Sequence, residues 1–371
     1  MRSPIDELAK LEQASLLRKI PESCGSLINF ASNDYLGLAQ HPKIKKAYQD
    51  AIAKYGAGST ASRLICGTVE PHRELEHLLA DAKGTSAALT FSTGYATSVG
   101  VLTALLQKDD TVIMDKLCHA SLIDGARMSG ATLRIFPHNH LKKLEALLIS
   151  TEAQASAETR TLVVTESIFS MDGDAAPLQE ITTLTRQHNA LLMVDEAHAL
   201  GIIGPTGMGL AEKLNIQSHI DFHMGTLGKA AGVAGGYLAT NQAWSDLLVN
   251  RARSFIYSTA PPPAQAAAAA AAIKLIRSEE GAQLRQKLWV NIELFRQACH
   301  LEGKATSSII PWMVGKSEDA LKLSATLREA GILVPAIRFP TVPRNTARLR
   351  ITISASHREE DMLKLAELIT R

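Results

Sequence analysis

The sequence predicts an α/β fold, a mostly parallel sheet covered by helices on both faces, followed by a smaller α+β C-terminal region. Three observations carry this. Short, nearly all-apolar runs recur at 87–91, 111–114, 161–165 and 191–195. Helical spacing of apolar residues separates several of them, and 46% hydrophobic residues in a chain of 371 are enough for a sizeable core. Strands buried on both faces read as continuous apolar runs, and parallel neighbours need a crossover between them.

The elements follow in order. Ser3-Pro4, then Ile5, Leu8, Leu11, Leu16 and Ile20 among charged residues, predicts an amphipathic helix with proline in its first turn and Pro21 as its stop. Residues 27–30 read as a short strand entering a loop at Asn33-Asp34-Tyr35-Leu36-Gly37. A helix over 70–80 carries Leu75, Leu78 and Leu79 on one side; the strand at 87–91 then meets a turn at Ser92-Thr93-Gly94-Tyr95 and a helix over 96–106. The polar, alanine-rich stretch 150–160 reads as a surface connection. Pro261-Pro262-Pro263 marks a boundary, a helix begins in the alanines 267–272, and short strands are expected near 309–310, 331–335 and 349–353. The resulting division is an N-terminal arm over 1–40, a large domain over 41–250 and a small domain over 251–371.

Charge and composition exclude several function classes. Lys and Arg number 39 against 37 Asp and Glu, a net charge of +2 that gives no footprint for nucleic acid. No apolar run spans a membrane, and the charged opening lacks the pattern of a secretory leader, so a cytoplasmic protein is expected. Cys24, Cys66 and Cys118 are scattered singly, which predicts core thiols and no metal site.

The most informative window runs from Asp221 to Thr240, a Gly- and Ala-rich segment whose only formal charges are Asp221 and Lys229. Apolar surroundings lower a lysine's pKa toward a reactive neutral amine, which suits a Schiff-base lysine; an isolated lysine in such a turn also reads as a surface residue. Asp195 ends an apolar strand, where ligands of open α/β sheets sit, with His198 three residues on. An aspartate there suits the protonated ring nitrogen of a pyridoxal cofactor, and His198 its phenolic oxygen or the substrate. Gly94 and Tyr95 lie between a strand and a helix, where backbone amides meet a phosphate, and Thr226 supplies a hydroxyl three residues before Lys229. His119, just beyond the 111–114 strand, is a candidate to stack on a planar ring; a lone histidine also reads as a packed or solvent-facing residue.

Competing motifs fail. Asp195-Glu196-Ala197-His198 spells a helicase box, but no phosphate loop lies upstream; no G-x-S-x-G elbow supports a serine hydrolase, and no G-x-G-x-x-G follows the first strand.

Taken together, Thr165-Glu166-Ser167-Ile168-Phe169-Ser170-Met171-Asp172-Gly173-Asp174, Asp195-Glu196-Ala197-His198, Gly225-Thr226-Leu227-Gly228-Lys229, Asn33-Asp34-Tyr35-Leu36-Gly37 and the segment His119 to Gly125 resemble the pyridoxal-phosphate-dependent α-oxoamine synthases. The resemblance runs in family order over essentially the whole chain. It implies fold type I, with a seven-stranded, mostly parallel sheet in the large domain, and pyridoxal 5'-phosphate as cofactor. It further implies that Lys229 carries the internal aldimine, Asp195 pairs with the pyridine nitrogen and His119 stacks on the ring. His198 and Ser170 resemble the residues near the phenolic oxygen, while Gly94, Tyr95 and Thr226 resemble the phosphate contacts. Arg350 resembles the arginine that holds the amino-acid carboxylate, with Asn33 beside the substrate and Arg18 a candidate for the acyl group. The family implies a homodimer with an interfacial site, to which the partner donates Thr259. The nearest branch condenses L-alanine with a pimeloyl thioester, carried on coenzyme A or on an acyl carrier protein. A sister branch using glycine, an aminotransferase and a non-catalytic acyl-carrier-binding protein are the alternatives.

Overall fold

The computed structural model describes residues 3–14, 16–18, 20 and 25–370; Pro21 and Cys24 lie outside the described residues. Its centre is a seven-stranded sheet with the edge-to-edge order Ala87–Phe91, Gly236–Thr240, Phe222–Thr226, Leu191–Asp195, Thr161–Glu166, Thr111–Asp115 and Thr132–Phe136. Gly236–Thr240 runs antiparallel to both neighbours, and every other pair is parallel. The expected α/β class and mostly parallel sheet are therefore present. Three of the seven strands, Thr132–Phe136, Phe222–Thr226 and Gly236–Thr240, lie where the sequence pattern gives no strand.

Side chains along the central strands alternate between two cores. Leu192 and Val194 join the cluster on one face and Met193 the cluster on the other, as a strand covered on both sides requires. Parallel pairing also brings strand ends to one edge. Glu166 is in register with Asp195, and Asp195 with Met224, so the polar ends of three strands meet where open α/β sheets bind ligands.

The opening helix is shorter than its apolar spacing predicts, spanning Pro4–Gln13 with the Ser3 hydroxyl accepting the Ile5 N–H at 3.3 Å. Ile5, Leu8 and Leu11 are exposed, so among the described residues the apolar face meets no core. Further on, Ile28–Asn29 pairs in parallel with Ile332–Leu333, which ties the N-terminal segment to the C-terminal region. That region holds an antiparallel three-stranded sheet of Ala336–Ile337, Ala347–Thr352 and Ile309–Gly315. Backbone bonds from Thr352 N to Phe30 O (2.9 Å) and from Ala355 N to Tyr35 O (2.8 Å) then bring the Asn33 loop against the strand bearing Arg350. Helix Pro263–Ile276, which follows the triple proline, packs on Pro42–Tyr55 and Glu70–Lys83.

Candidate active site

A cavity of about 200 Å³ opens at the polar edge of the sheet, lined among others by Gly94, His119, Glu166, Asp195, His198 and Lys229. Asp195 and Glu166 form its floor because each ends an apolar strand. Lys229 stands in the loop between Phe222–Thr226 and Gly236–Thr240. That loop is closed by backbone bonds from Leu227 N to Gly235 O (2.9 Å), Val233 N to Leu227 O (3.0 Å) and Gly232 N to Lys229 O (2.8 Å). Gly232 is required here: its φ is +68°, and a Cβ would collide with the backbone of Leu38 and Ala39.

The surroundings lower the pKa of the lysine. Burial pulls the Lys229 ammonium down to about 8, with Asp195 and Glu166 pulling upward and Arg350 adding to the drop. Burial likewise raises both carboxyls; Glu166 is pushed up to about 8 by burial and the neighbouring Asp195 charge, while Lys229 partly restrains Asp195. His198 is held well below its ordinary value by burial and by the positive charges of Lys229 and Arg350, so its ring is neutral at pH 7.

A hydrogen-bonded chain crosses from this floor to the small-domain sheet. Lys229 Nζ lies 2.9 Å from His198 Nε2, and His198 Nδ1 lies 2.5 Å from the Tyr35 hydroxyl. Tyr35 donates to Asn33 Oδ1 at 3.2 Å, and Arg350 Nη1 donates to the same oxygen at 3.1 Å. Arg350 is held further by Nε to the Ser170 carbonyl at 2.6 Å and Nη1 to Thr352 Oγ1 at 2.9 Å. Lys229, His198, Asn33 and Arg350, from four distant parts of the sequence, thus form one constellation.

The other expected residues divide into two groups. His119 caps helix Ala120–Ser129 and borders the cavity; its Nδ1 accepts the Ser121 N–H at 3.2 Å and lies 2.8 Å from Ser121 Oγ, which holds the ring in place. Gly94 and Tyr95 open helix Gly94–Leu105, so their N–H groups have no acceptor within the helix. Thr226 stands beside them and spends its proton on the Gly235 carbonyl at 2.8 Å. Ser170, by contrast, meets the constellation through its carbonyl. Thr259 is exposed in a bridge to Ser62, and Arg18 is exposed beside Leu17, whose carbonyl accepts Arg338 Nη2 at 3.1 Å. These last two lie outside the cavity.

Sequence reasoning assigns no role to Glu166, Ser121 or Tyr35. For Glu166 the signal is present: it ends an apolar strand just as Asp195 does. Its carboxylate also takes the His119 N–H at 2.5 Å.

The site suits a flat, phosphorylated aromatic aldehyde. A Cβ at Gly94 would lie 3.5 Å from Thr226 Cβ and fill the gap between the helix end and that hydroxyl. A buried carboxylate, a pinned imidazole and a low-pKa amine surround the remaining space. Among the described residues no group of three or more His, Cys, Asp or Glu is arranged to hold a metal, and no helix is long and apolar enough to cross a membrane.

The family model for aminotransferase class I and II matches residues 26–369. The chain belongs to that family. Within the class I and II aminotransferases, it is 44% identical to an 8-amino-7-oxononanoate synthase of Geobacter sulfurreducens, over 100% of this chain and 97% of that one. Among solved structures, the aminotransferase-family chain resembles SPT with a pyridoxal-phosphate internal aldimine, at TM-score 0.91 and 29% identity over 99% and 95% of the two chains. It also resembles the 8-amino-7-oxononanoate synthase of Francisella tularensis, at TM-score 0.79 and 29% identity over 93% and 97%. The family resemblance carried by the motifs is borne out.

Proposed function

We propose that this chain is a pyridoxal-phosphate-dependent acyltransferase, an 8-amino-7-oxononanoate synthase, which condenses L-alanine with a pimeloyl thioester and releases carbon dioxide and the thiol. This would be a step of biotin synthesis. The observation that carries it is the low-pKa Lys229 amine, 2.9 Å from His198 and over the Asp195 floor, in a chain similar over its full length to synthases of that name.

Bound at Lys229, pyridoxal phosphate supplies an electron sink for the amino acid's α-carbon. Asp195 would pair with the ring nitrogen, His119 cover one ring face, and Gly94, Tyr95 and Thr226 hold the phosphate. Ser170 and His198 are the residues proposed for the phenolic side. Arg350, aimed by Asn33, would hold the carboxylate of L-alanine through the remaining Nη2 protons of its guanidinium. The neutral Lys229 amine takes the α-proton, a step its depressed pKa permits near pH 8. His198 polarises the thioester carbonyl. In the proposed homodimer the exposed Thr259 reaches the partner's phosphate site, and Arg18 meets the acyl group as it arrives on coenzyme A or a carrier protein.

The test is thiol release from pimeloyl-CoA by cofactor-loaded protein with L-alanine, with glycine and with no amino acid. Alanine-dependent release with 8-amino-7-oxononanoate as product is expected. Faster release with glycine would reassign the chain to a sister synthase.

A further inference from the structure

The loop that aims Arg350 has an anchor of its own. Residues 169–174 turn back between Ile168 and Ala175, which form an antiparallel bridge; Phe169 N donates to the Asp174 carbonyl at 3.0 Å and Gly173 N to the Phe169 carbonyl at 2.8 Å. One side of the loop faces the C-terminal three-stranded sheet. There the Ser170 carbonyl takes Arg350 Nε at 2.6 Å, the Asp172 carboxylate takes Arg348 Nη1 at 2.6 Å, and the Gly173 carbonyl takes the Thr306 and Ser307 hydroxyls at 2.6 and 2.8 Å. The other side is tied to the large sheet by His138 and Asn139, just past strand Thr132–Phe136. His138 Nδ1 lies 3.1 Å from Asp115 Oδ1 and Nε2 lies 2.8 Å from Asp174 Oδ2, while the ring packs at right angles to Phe169.

The partners of His138 settle its charge whichever tautomer a neutral ring would take. Asp115 Oδ1 and Oδ2 already accept the Leu117 and Asn139 N–H groups at 2.8 Å each, so this carboxylate serves as an acceptor. The Asn139 amide nitrogen donates to Asp174 Oδ2 at 3.1 Å and to the Ala175 carbonyl at 3.3 Å, which uses both of its protons and leaves none for His138 Nε2, 3.2 Å away. A neutral imidazole would set one bare nitrogen against a carboxylate oxygen, whereas the doubly protonated ring donates to both. Burial pulls the His138 pKa down, but the hydrogen bonds and charges of Asp115 and Asp174 outweigh it and push it up to about 10.

We propose that His138 is a positioning residue for the amino-acid carboxylate subsite: it ties loop 169–174 to Asp115 at the end of the sheet and so holds the Ser170 carbonyl where it aims Arg350. The proposal rests on the reading above that Arg350 binds the carboxylate of L-alanine. His138 does not line the cavity, so its effect on alanine passes through the loop.

His138→Gln removes the imidazolium and keeps a polar side chain. Alanine binding to the holoenzyme, followed by the absorbance of the cofactor with no thioester present, should weaken about tenfold, while kcat at saturating alanine stays within about threefold of wild type. The deciding comparison is the cycle with Arg350→Lys, in whose background His138→Gln should weaken alanine binding by less than about twofold. Equal losses in both backgrounds would mean general loosening and overturn the proposal, as would unchanged alanine binding in His138→Gln. If Arg350→Lys alone left alanine binding untouched, the carboxylate reading would fail and take the proposal with it; with the Arg350→Lys loss intact, only the proposal is at stake. Nitrogen-15 NMR of histidine-labelled holoenzyme at pH 8, with the His138 signals assigned by their loss in His138→Gln, should show both ring nitrogens protonated, and a neutral ring would refute the clamp. Should His138→Gln fail to fold, Asp174→Asn removes the charge at the loop end alone. Alanine binding about threefold weaker, again non-additive with Arg350→Lys, is then expected, and unchanged binding overturns the proposal.

Discussion

Glu166 stands directly across from Asp195 on two neighbouring parallel strands, so two buried carboxyls share the floor beneath Lys229. Two like charges at that spacing in a low-dielectric site cannot both be ionised cheaply. Of the pair, Glu166 is pushed to about 8, and it retains its role as acceptor for the His119 N–H when protonated. Its neutral form at pH 7 follows.

That assignment has a pH signature. Because the folded pKa of Glu166, about 8, lies above the ordinary value of 4.5, the unfolded chain ionises first, and Glu166 costs stability increasingly as pH rises from 4.5 to 8. Glu166→Gln mimics the neutral acid and removes this cost. In cofactor-free protein the variant's melting temperature should gain on the wild type across that window and level off above it. Its kcat at pH 7 should stay within about threefold of wild type. Parallel melting curves against pH would contradict the assignment.

A second buried pair involves Glu196, the residue after Asp195. Lys83 Nζ donates to Glu196 Oε2 at 2.7 Å and to the Met208 carbonyl at 2.5 Å, while Glu196 Oε1 takes the Ala211 N–H at 3.1 Å. Burial alone would raise the Glu196 pKa, but the Lys83 charge and His223 outweigh it and hold the carboxyl at about 2. Lys83→Met should cost about 3–5 kcal/mol in urea unfolding at pH 7, because it strands a buried carboxylate, and the double variant with Glu196→Gln should recover most of that. Since the folded value is below the ordinary 4.5, the pair's contribution is complete above pH 4.5 and lost as pH falls through 2.

Much of this site is legible in the sequence, and the gaps have physical causes. Asp195 shows itself because it ends an apolar strand at the edge where open α/β sheets place their ligands and has His198 three residues on. Lys229 shows itself by isolation among glycine and alanine. The strands that flank it do not, because glycine in Phe222–Thr226 and Gly236–Thr240 breaks the apolar run that marks a buried strand. Those glycines make room for neighbours: a Cβ at Gly225 would overlap the Tyr237 ring. Thr132–Phe136 hides for another reason, an edge position where Thr132 and Ile135 are exposed. Tyr35 meets His198 across 163 positions, a contact that no local spacing encodes.

The lysine loop offers a steric test. Gly232→Ala places a methyl against the Leu38 and Ala39 backbone at a φ of +68°, and the loop must move to accommodate it. A loss of about 2–3 kcal/mol is expected in chemical unfolding, together with weakened cofactor retention on gel filtration. Wild-type stability and retention would show that the loop is free of that contact.

Arg350 is the last position where geometry separates two similar side chains. Its fork is aimed by three neighbours at once: Nε on the Ser170 carbonyl, and Nη1 on both Asn33 and Thr352. A lysine keeps the charge but has neither the planar fork nor the reach to satisfy those three acceptors and a carboxylate together. Arg350→Lys should therefore raise KM for L-alanine about 30-fold with a smaller change in kcat, since a charge-assisted contact from the remaining Nη2 group, proposed to be made to substrate and transition state alike, loses its aim. The KM for the pimeloyl thioester should stay near wild type. If that KM rose instead while the alanine KM held, Arg350 would belong to the acyl subsite, and the direction of the whole chain from Lys229 to Arg350 would have to be reassigned.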